Sequence, residues 1–210
     1  MNSKLPRTAA VALACATLFG FSLQAQARVH GFRGAHGGHV GATYGDGSGG
    51  VTRVHGTRVH GAKGSAGHAG KTTYGPDGSI THTGGTNVTG ANGGSFSGRN
   101  SYVRNPDGSS NWSDTASGKN AGGGSYDHGG NWARGSDGSV SGSSQTSASG
   151  ARGTYNASSS ASDGTFDHDT TATNAAGDTY TGQSSYTKGQ GWTHSGTCTD
   201  AQGNVIACGH

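Results

Sequence analysis

Histidine is the residue type in this chain best suited to chemistry, and it is unevenly placed. His30, His36, His39, His55, His60, His68 and His82 all fall within residues 28–82, seven of the eleven histidines present. Imidazole nitrogen is a ligand for copper, nickel and zinc. One arrangement is more specific than the rest. If the chain is cut after Ala27, Arg28 becomes the amino terminus and His30 stands third. A free amine, two backbone amides and an imidazole in that order can enclose Cu(II) or Ni(II) in four nitrogens, and tetragonal nitrogen sites suit those ions. Arg28, Val29 and His30 are therefore the candidate metal ligands, with Cu(II) or Ni(II) as the ion. No other cofactor is expected.

The remaining candidates point away from catalysis. Asp167-His168-Asp169 is the densest polar cluster. On a strand its two carboxylates take one face and the imidazole the other, so they do not converge as a triad. Serine, aspartate and histidine are so common here that some such set always arises by chance. No complete Walker loop is present. No catalytic residue is nominated, and the chain is not expected to be an enzyme. Cys198 and Cys208 lie symmetrically about Gly203. Opposed positions on a hairpin come close enough for a disulfide, which oxidising compartments preserve. That pairing is expected.

Such a disulfide presupposes export, and the amino terminus supplies a signal for it. Lys4 and Arg7 form a positive region, Ala9 to Leu23 an apolar run, and Gln24-Ala25-Gln26-Ala27 a small-residue cleavage pattern. Residues 1–27 read as a secretory signal peptide. The run is too short and alanine-rich to span a bilayer, and no membrane span is expected after its removal. The localisation expected is secreted, periplasmic or on the outer cell surface.

Beyond residue 27 there is no leucine, methionine or glutamate, only nine valines, two isoleucines and a scatter of aromatic residues. So little apolar surface cannot offset the ordering of a single-core domain, at about 1–2 kcal/mol per residue. Charge is divided as well. Residues 28–71 carry six cations against Asp46, net +5; residues 72–210 carry six cations against ten aspartates, net −4. In residues 28–71 glycine recurs every few positions and Arg-Val-His-Gly appears at 28–31, 53–56 and 58–61. No hydrophobic period survives, and a disordered Gly/His/Arg-rich arm is expected there.

From Thr72 the pattern is regular. Turn glycines fall at Gly78, Gly94, Gly108, Gly124, Gly138, Gly153, Gly164, Gly177, Gly191 and Gly203. Asp-Gly and Ala-x-Gly turns alternate, so the repeat is a pair of segments of about 30 residues. Aromatic residues six apart, such as Phe96 and Tyr102 or Tyr126 and Trp132, share one face of an extended strand. Asn105-Pro106-Asp107-Gly108 is hairpin chemistry: proline presets the first turn position and glycine accepts the positive φ of a bulge. The fold class expected for residues 72–210 is all-β, an elongated meander of about ten antiparallel strands with a disulfide-clipped last hairpin. A parallel β-solenoid with a coil of about 30 residues is the alternative.

These readings together lead to two expectations of function. The first is a secreted, non-enzymatic structural or adhesive glycine-rich protein of the bacterial cell surface or matrix. Its partners are further copies of itself or anionic cell-surface polysaccharide, since exposed strand edges recruit strands and basic segments attract polyanions. The alternative is a periplasmic or secreted Cu(II)/Ni(II)-binding protein acting through the histidine-rich region. Nucleic acid is not an expected partner, because the repeats are acidic and residues 28–71 offer only Phe32 and Tyr44 for stacking.

Overall fold

The computed structural model describes residues 27–208. The expected signal segment up to Gln26 lies outside the described residues. Fourteen strands follow one another: β1 (Arg28–Gly34), β2 (Gly37–Gly45), β3 (Val51–Gly61), β4 (Gly64–Tyr74), β5 (Ile80–Gly90), β6 (Ser95–Arg104) and β7 (Ser110–Lys119). Then come β8 (Ser125–Arg134), β9 (Val140–Gly150), β10 (Gly153–Ser162), β11 (Thr165–Asn174), β12 (Thr179–Thr187), β13 (Gly191–Thr199) and β14 (Val205–Ile206). They form one open sheet whose strand order is the chain order, and every neighbouring pair is antiparallel. The meander is the fold, and the parallel solenoid is excluded.

The alternation of turn types has a simple origin: the two types line opposite ends of the sheet. At one end, segments 75–79, 105–109 and 135–139 repeat the same geometry. In the first, the Gly78 N–H donates to the Gly75 carbonyl (3.1 Å) and the Gly75 N–H to the Ser79 carbonyl (2.8 Å). Gly78 has φ 86°, so the turn closes with a glycine bulge, as the Pro-Asp-Gly chemistry requires. Asp77, Asp107 and Asp137 then staple the turn, each accepting the N–H of the serine two residues on at 2.9 Å. The Ala-x-Gly turns lie at the other end, where Asn120 and Asn174 play the same role. All ten expected turns are present. At two of them the positive φ belongs to Gly93 and Gly123, one residue before the expected Gly94 and Gly124.

One expectation is corrected. Residues 28–71 are not a disordered arm; they form β1 to β3 and most of β4, so the sheet has four more strands than the repeat alone suggested. The reason lies in a turn motif shared across the molecule. Gly34-Ala35-His36-Gly37, Gly61-Ala62-Lys63-Gly64 and Gly150-Ala151-Arg152-Gly153 are all two-residue hairpin turns. The last glycine of each takes a φ between 123° and 154°, a region open only to glycine. At Gly64 an added Cβ would run into the Thr89 carbonyl oxygen on β5, and at Gly153 into that of Thr173 on β11. Glycine here lets the neighbouring strand close in.

Register divides side chains between two faces. One row on the first face runs Val59, Ala66, Val88, Phe96, Gly118, Tyr126, Ala148, Tyr155, Ala172, Tyr180, Cys198 and Ile206, from β3 to β14. A second row on that face, near the Asp-Gly turns, includes His82, Tyr102, Trp112, Trp132, Phe166, Tyr186 and Trp192. These are the two ladders the six-residue spacing implies. The opposite face is largely hydroxyl-bearing, with Thr173 opposed to Thr179 and Thr179 to Thr199.

Among the described residues no apolar side chain is buried. The ladder is covered from its own plane instead, by rings lying over glycines. A Cβ on Gly98 would sit 3.3 Å from Phe96, and one on Gly142 2.9 Å from Trp132. Tyr180 likewise covers Gly182 and Gly196. Gly182 is buried in consequence. A ring over a neighbouring glycine shields backbone hydrogen bonds that a second layer would otherwise protect.

Candidate functional site

The register gathers the histidines. His30, His39, His55, His68, His82, His128, His168 and His194 all project from the aromatic face. The first five come from five consecutive strands, β1 to β5, and form a staggered stripe. His30 and His39 have ring centroids 5.8 Å apart. His55 and His68 are closer, with centroids at 5.2 Å and their Nε2 atoms 3.1 Å apart. Threonines fix the rings: Thr57 Oγ1 lies 2.9 Å from His39 Nδ1, Thr86 Oγ1 3.0 Å from His68 Nδ1, and Thr72 Oγ1 2.8 Å from His82 Nδ1. Glycines make room for them. A Cβ on Gly70 would lie 2.6 Å from His55 Cε1, and one on Gly41 2.6 Å from the His30 ring. Desolvation by neighbouring atoms foremost, and then the imidazoles of His68, His82 and His39, hold His55 below the usual histidine range, although its side chain is exposed overall.

Arg28, Val29 and His30 lie in β1, opposite Thr43, Ala42 and Gly41. A four-nitrogen wrap at a new amino terminus requires those three residues to leave the ladder. Asp167 and Asp169 face one way and His168 the other, as expected of a strand. His168 is bracketed by hydroxyls, Ser159 Oγ at 2.8 Å from Nδ1 and Thr170 Oγ1 at 2.9 Å from Nε2. A carboxylate does meet an imidazole at His128, whose Nε2 lies 2.9 Å from Asp114 Oδ2 while Nδ1 lies 2.7 Å from Thr146 Oγ1. Neither that contact nor the His55–His68 pair was legible from sequence spacing, because each joins different strands through register.

No protein-family model, curated protein or solved structure matches this chain. Its chemistry is read from its own geometry.

Cys198 and Cys208 form a disulfide, Cα–Cα 5.3 Å, as their symmetry about Gly203 implies. It anchors the short β14, which pairs only with Cys198 and Thr199. Among the described residues, no strand pairs with 191–197 of β13 on their outer side, and none pairs with β1 other than β2. The free stretches are equal in length, seven residues each. Phe32 and Trp192, on these edge strands, are 71% and 67% exposed. Among the described residues no helix is long and apolar enough to cross a membrane.

Proposed function

We propose that this chain is an exported, non-enzymatic structural or adhesive protein of the bacterial cell surface or matrix, assembling by strand addition at its open edges. The observation that carries the reading is the pair of seven-residue edges that no other described strand covers, on a sheet whose described residues bury no apolar side chain. An unpaired row of N–H and C=O groups is a template for another strand, and natural sheets that avoid this use charge, proline or a covering element. β13 uses none of these over residues 191–197. The excess of cations in residues 28–71 over the acidic remainder supports head-to-tail addition and attraction to anionic polysaccharide.

Fractionation and electron microscopy test the reading. The native protein should appear in insoluble surface or matrix material, and the purified chain should grow into filaments at high concentration. Replacing Thr193 and Ser195 by lysine should stop growth while the strand signal in circular dichroism persists. A chain that stays monodisperse at high concentration and is recovered only from soluble periplasm would end the proposal.

A second reading, an exported Cu(II)/Ni(II)-binding protein, is favoured by the stripe of five imidazoles across β1 to β5. Arg28, Val29 and His30 remain its terminal ligands if processing exposes them. Removing that terminus or acetylating it should abolish a square-planar copper spectrum.

A further inference from the structure

We propose that His55 and His68 form a two-imidazole chelate for a divalent transition-metal ion, Cu(II) foremost, on the folded sheet. The site is independent of the assembly reading and uses none of the terminal residues Arg28, Val29 and His30. It would give metal binding a location within the ladder.

The geometry already approaches that of a ligated pair. The two Nε2 atoms stand 3.1 Å apart. Ligand nitrogens at about 2.0–2.1 Å from one ion, meeting at angles between 90° and tetrahedral, are separated by about 2.9–3.4 Å. The separation suits one shared ion once the rings turn so that both Nε2 lone pairs converge on it. In the absence of an ion the two neutral rings share a proton, one Nε2 donating to the other.

The neighbouring residues act as outer-shell supports. His68 Nδ1 lies 3.0 Å from the Thr86 hydroxyl, a partner able to accept an Nδ1–H, the tautomer that leaves the Nε2 lone pair for a metal. His55 is aimed by what is missing opposite it. Gly70 faces it across the β3–β4 ladder, and a Cβ there would lie 2.6 Å from His55 Cε1 and 3.0 Å from its Nε2. Only glycine lets the ring lie toward His68. When the ion binds, the proton shared by the two Nε2 atoms passes to His55 Nδ1, both rings stay neutral, and no redox step is involved.

Among the described residues no group of three or more histidine, cysteine or acidic side chains converges on one point. Two protein ligands leave the rest of the coordination sphere to water, which suits the ion at the top of the divalent affinity order. Both histidines are exposed, so an ion reaches them without opening the fold.

The test uses the exported chain carrying His30→Ala, which silences the terminal chelate. CuSO4 is titrated while electron paramagnetic resonance and calorimetry are recorded. One Cu(II) should bind with the nitrogen splitting of two imidazoles. His55→Ala and His68→Ala should each lower affinity at least tenfold and remove one imidazole from the spectrum. Gly70→Ala, which leaves every ligand in place, should also weaken binding about tenfold. His60→Ala, on the other face, should change nothing. Circular dichroism of each variant confirms that the strands remain, and His68→Asn replaces His68→Ala if that variant fails to fold. Equal affinity and unchanged spectra in the His55, His68 and Gly70 variants would overturn the site. Loss of affinity spread evenly over all histidine variants, His60 included, would overturn it too, as diffuse binding.

Discussion

Residues 28–74 and residues 75–206 share one antiparallel ladder but cover it with different rings. In the first region the rings over glycines are imidazoles, His30 over Gly41 and His55 over Gly70. In the second they are mostly benzenoid or indole rings, Phe96 over Gly98, Trp132 over Gly142 and Tyr180 over Gly196, with His82 beside Gly84. A single-layer sheet needs a flat group to shield its backbone, and either kind fits the space. They differ in energy. A Trp or Tyr removes far more apolar surface from water than a histidine, and an imidazole takes up a proton near neutral pH. The same shape is thus built with a half richer in imidazole and a half richer in large apolar rings.

The largest expected effect tests whether the halves share one turn geometry. Gly64→Ala and Gly153→Ala each force a Cβ into a neighbouring strand's carbonyl at a φ that alanine resists. Each should cost about 3 kcal/mol or more in chemical denaturation. Gly61→Ala, with open space around it, should cost under about 1 kcal/mol. If Gly64→Ala proves silent while Gly153→Ala does not, the first four strands do not pair as described.

Next comes the disulfide, which among the described residues clips one edge and not the other. Reducing Cys198–Cys208 closes off a staple worth about 2–3 kcal/mol to the last hairpin. Hydrogen exchange should accelerate in β13 and β14 and leave β5 to β9 untouched. Deleting β1 and β2 should likewise lower the melting temperature modestly, since a linear array loses stability repeat by repeat. Global collapse from either change would contradict the array.

Ring substitutions should separate the halves more finely. Trp132 stacks on Trp112 with centroids 6.3 Å apart, and Trp132→Ala should cost about 1–2 kcal/mol. His30→Ala should cost no more than about 0.5 kcal/mol in the same assay.

Acid should give the gentlest and most selective discrimination. His55 is held below its ordinary value of 6.5, so the unfolded chain takes up its proton first. Its contribution is complete above that value and is lost as pH falls through its lower folded value. Desolvation is the larger cause, and the imidazoles of His68, His82 and His39 on the same face add to it. Asp77, Asp107 and Asp137 are lowered from 3.8 by the serine hydroxyl and N–H two residues on. Their support is present above 3.8 and disappears below it. Hydrogen exchange across a pH series should therefore loosen β3 and β4 at mildly acid pH, and the Asp-Gly turns only under stronger acid. Simultaneous loosening of both regions would break the comparison.

Much of this was legible in the sequence, and the exceptions have a physical cause. The ten turns from Gly78 to Gly203 announced themselves because a glycine at or beside each accepts a positive φ, with proline presetting φ or aspartate bonding the backbone at some of them. The ladders followed from even spacing, as with Phe96 and Tyr102. The first four strands were hidden because their alternation is not between apolar and polar. In β3 one face takes Val51, Arg53, His55, Thr57 and Val59, and the other Thr52, Val54, Gly56, Arg58 and His60. The repeated Arg-Val-His-Gly misleads further: copies five residues apart send His55 and His60 to opposite faces. The decisive signal was Gly-Ala-[His/Lys/Arg]-Gly, visible three times but recognisable as a hairpin only beside the regular example at 150–153. The His55–His68 contact depends on register, which spacing within one segment cannot specify.

Because strand order equals chain order, β1 and β14 occupy opposite borders of the sheet. Tension applied to the two ends of the chain therefore peels the ladder instead of shearing it. Hydrogen bonds open a few at a time, and strands leave singly from the borders. Each freed ten-residue strand pays out up to about 33–36 Å of chain. Such a molecule behaves under load as a stepwise extensible tether that yields at low force and rewinds when slack returns. The Cys198–Cys208 loop is the segment that withholds its length.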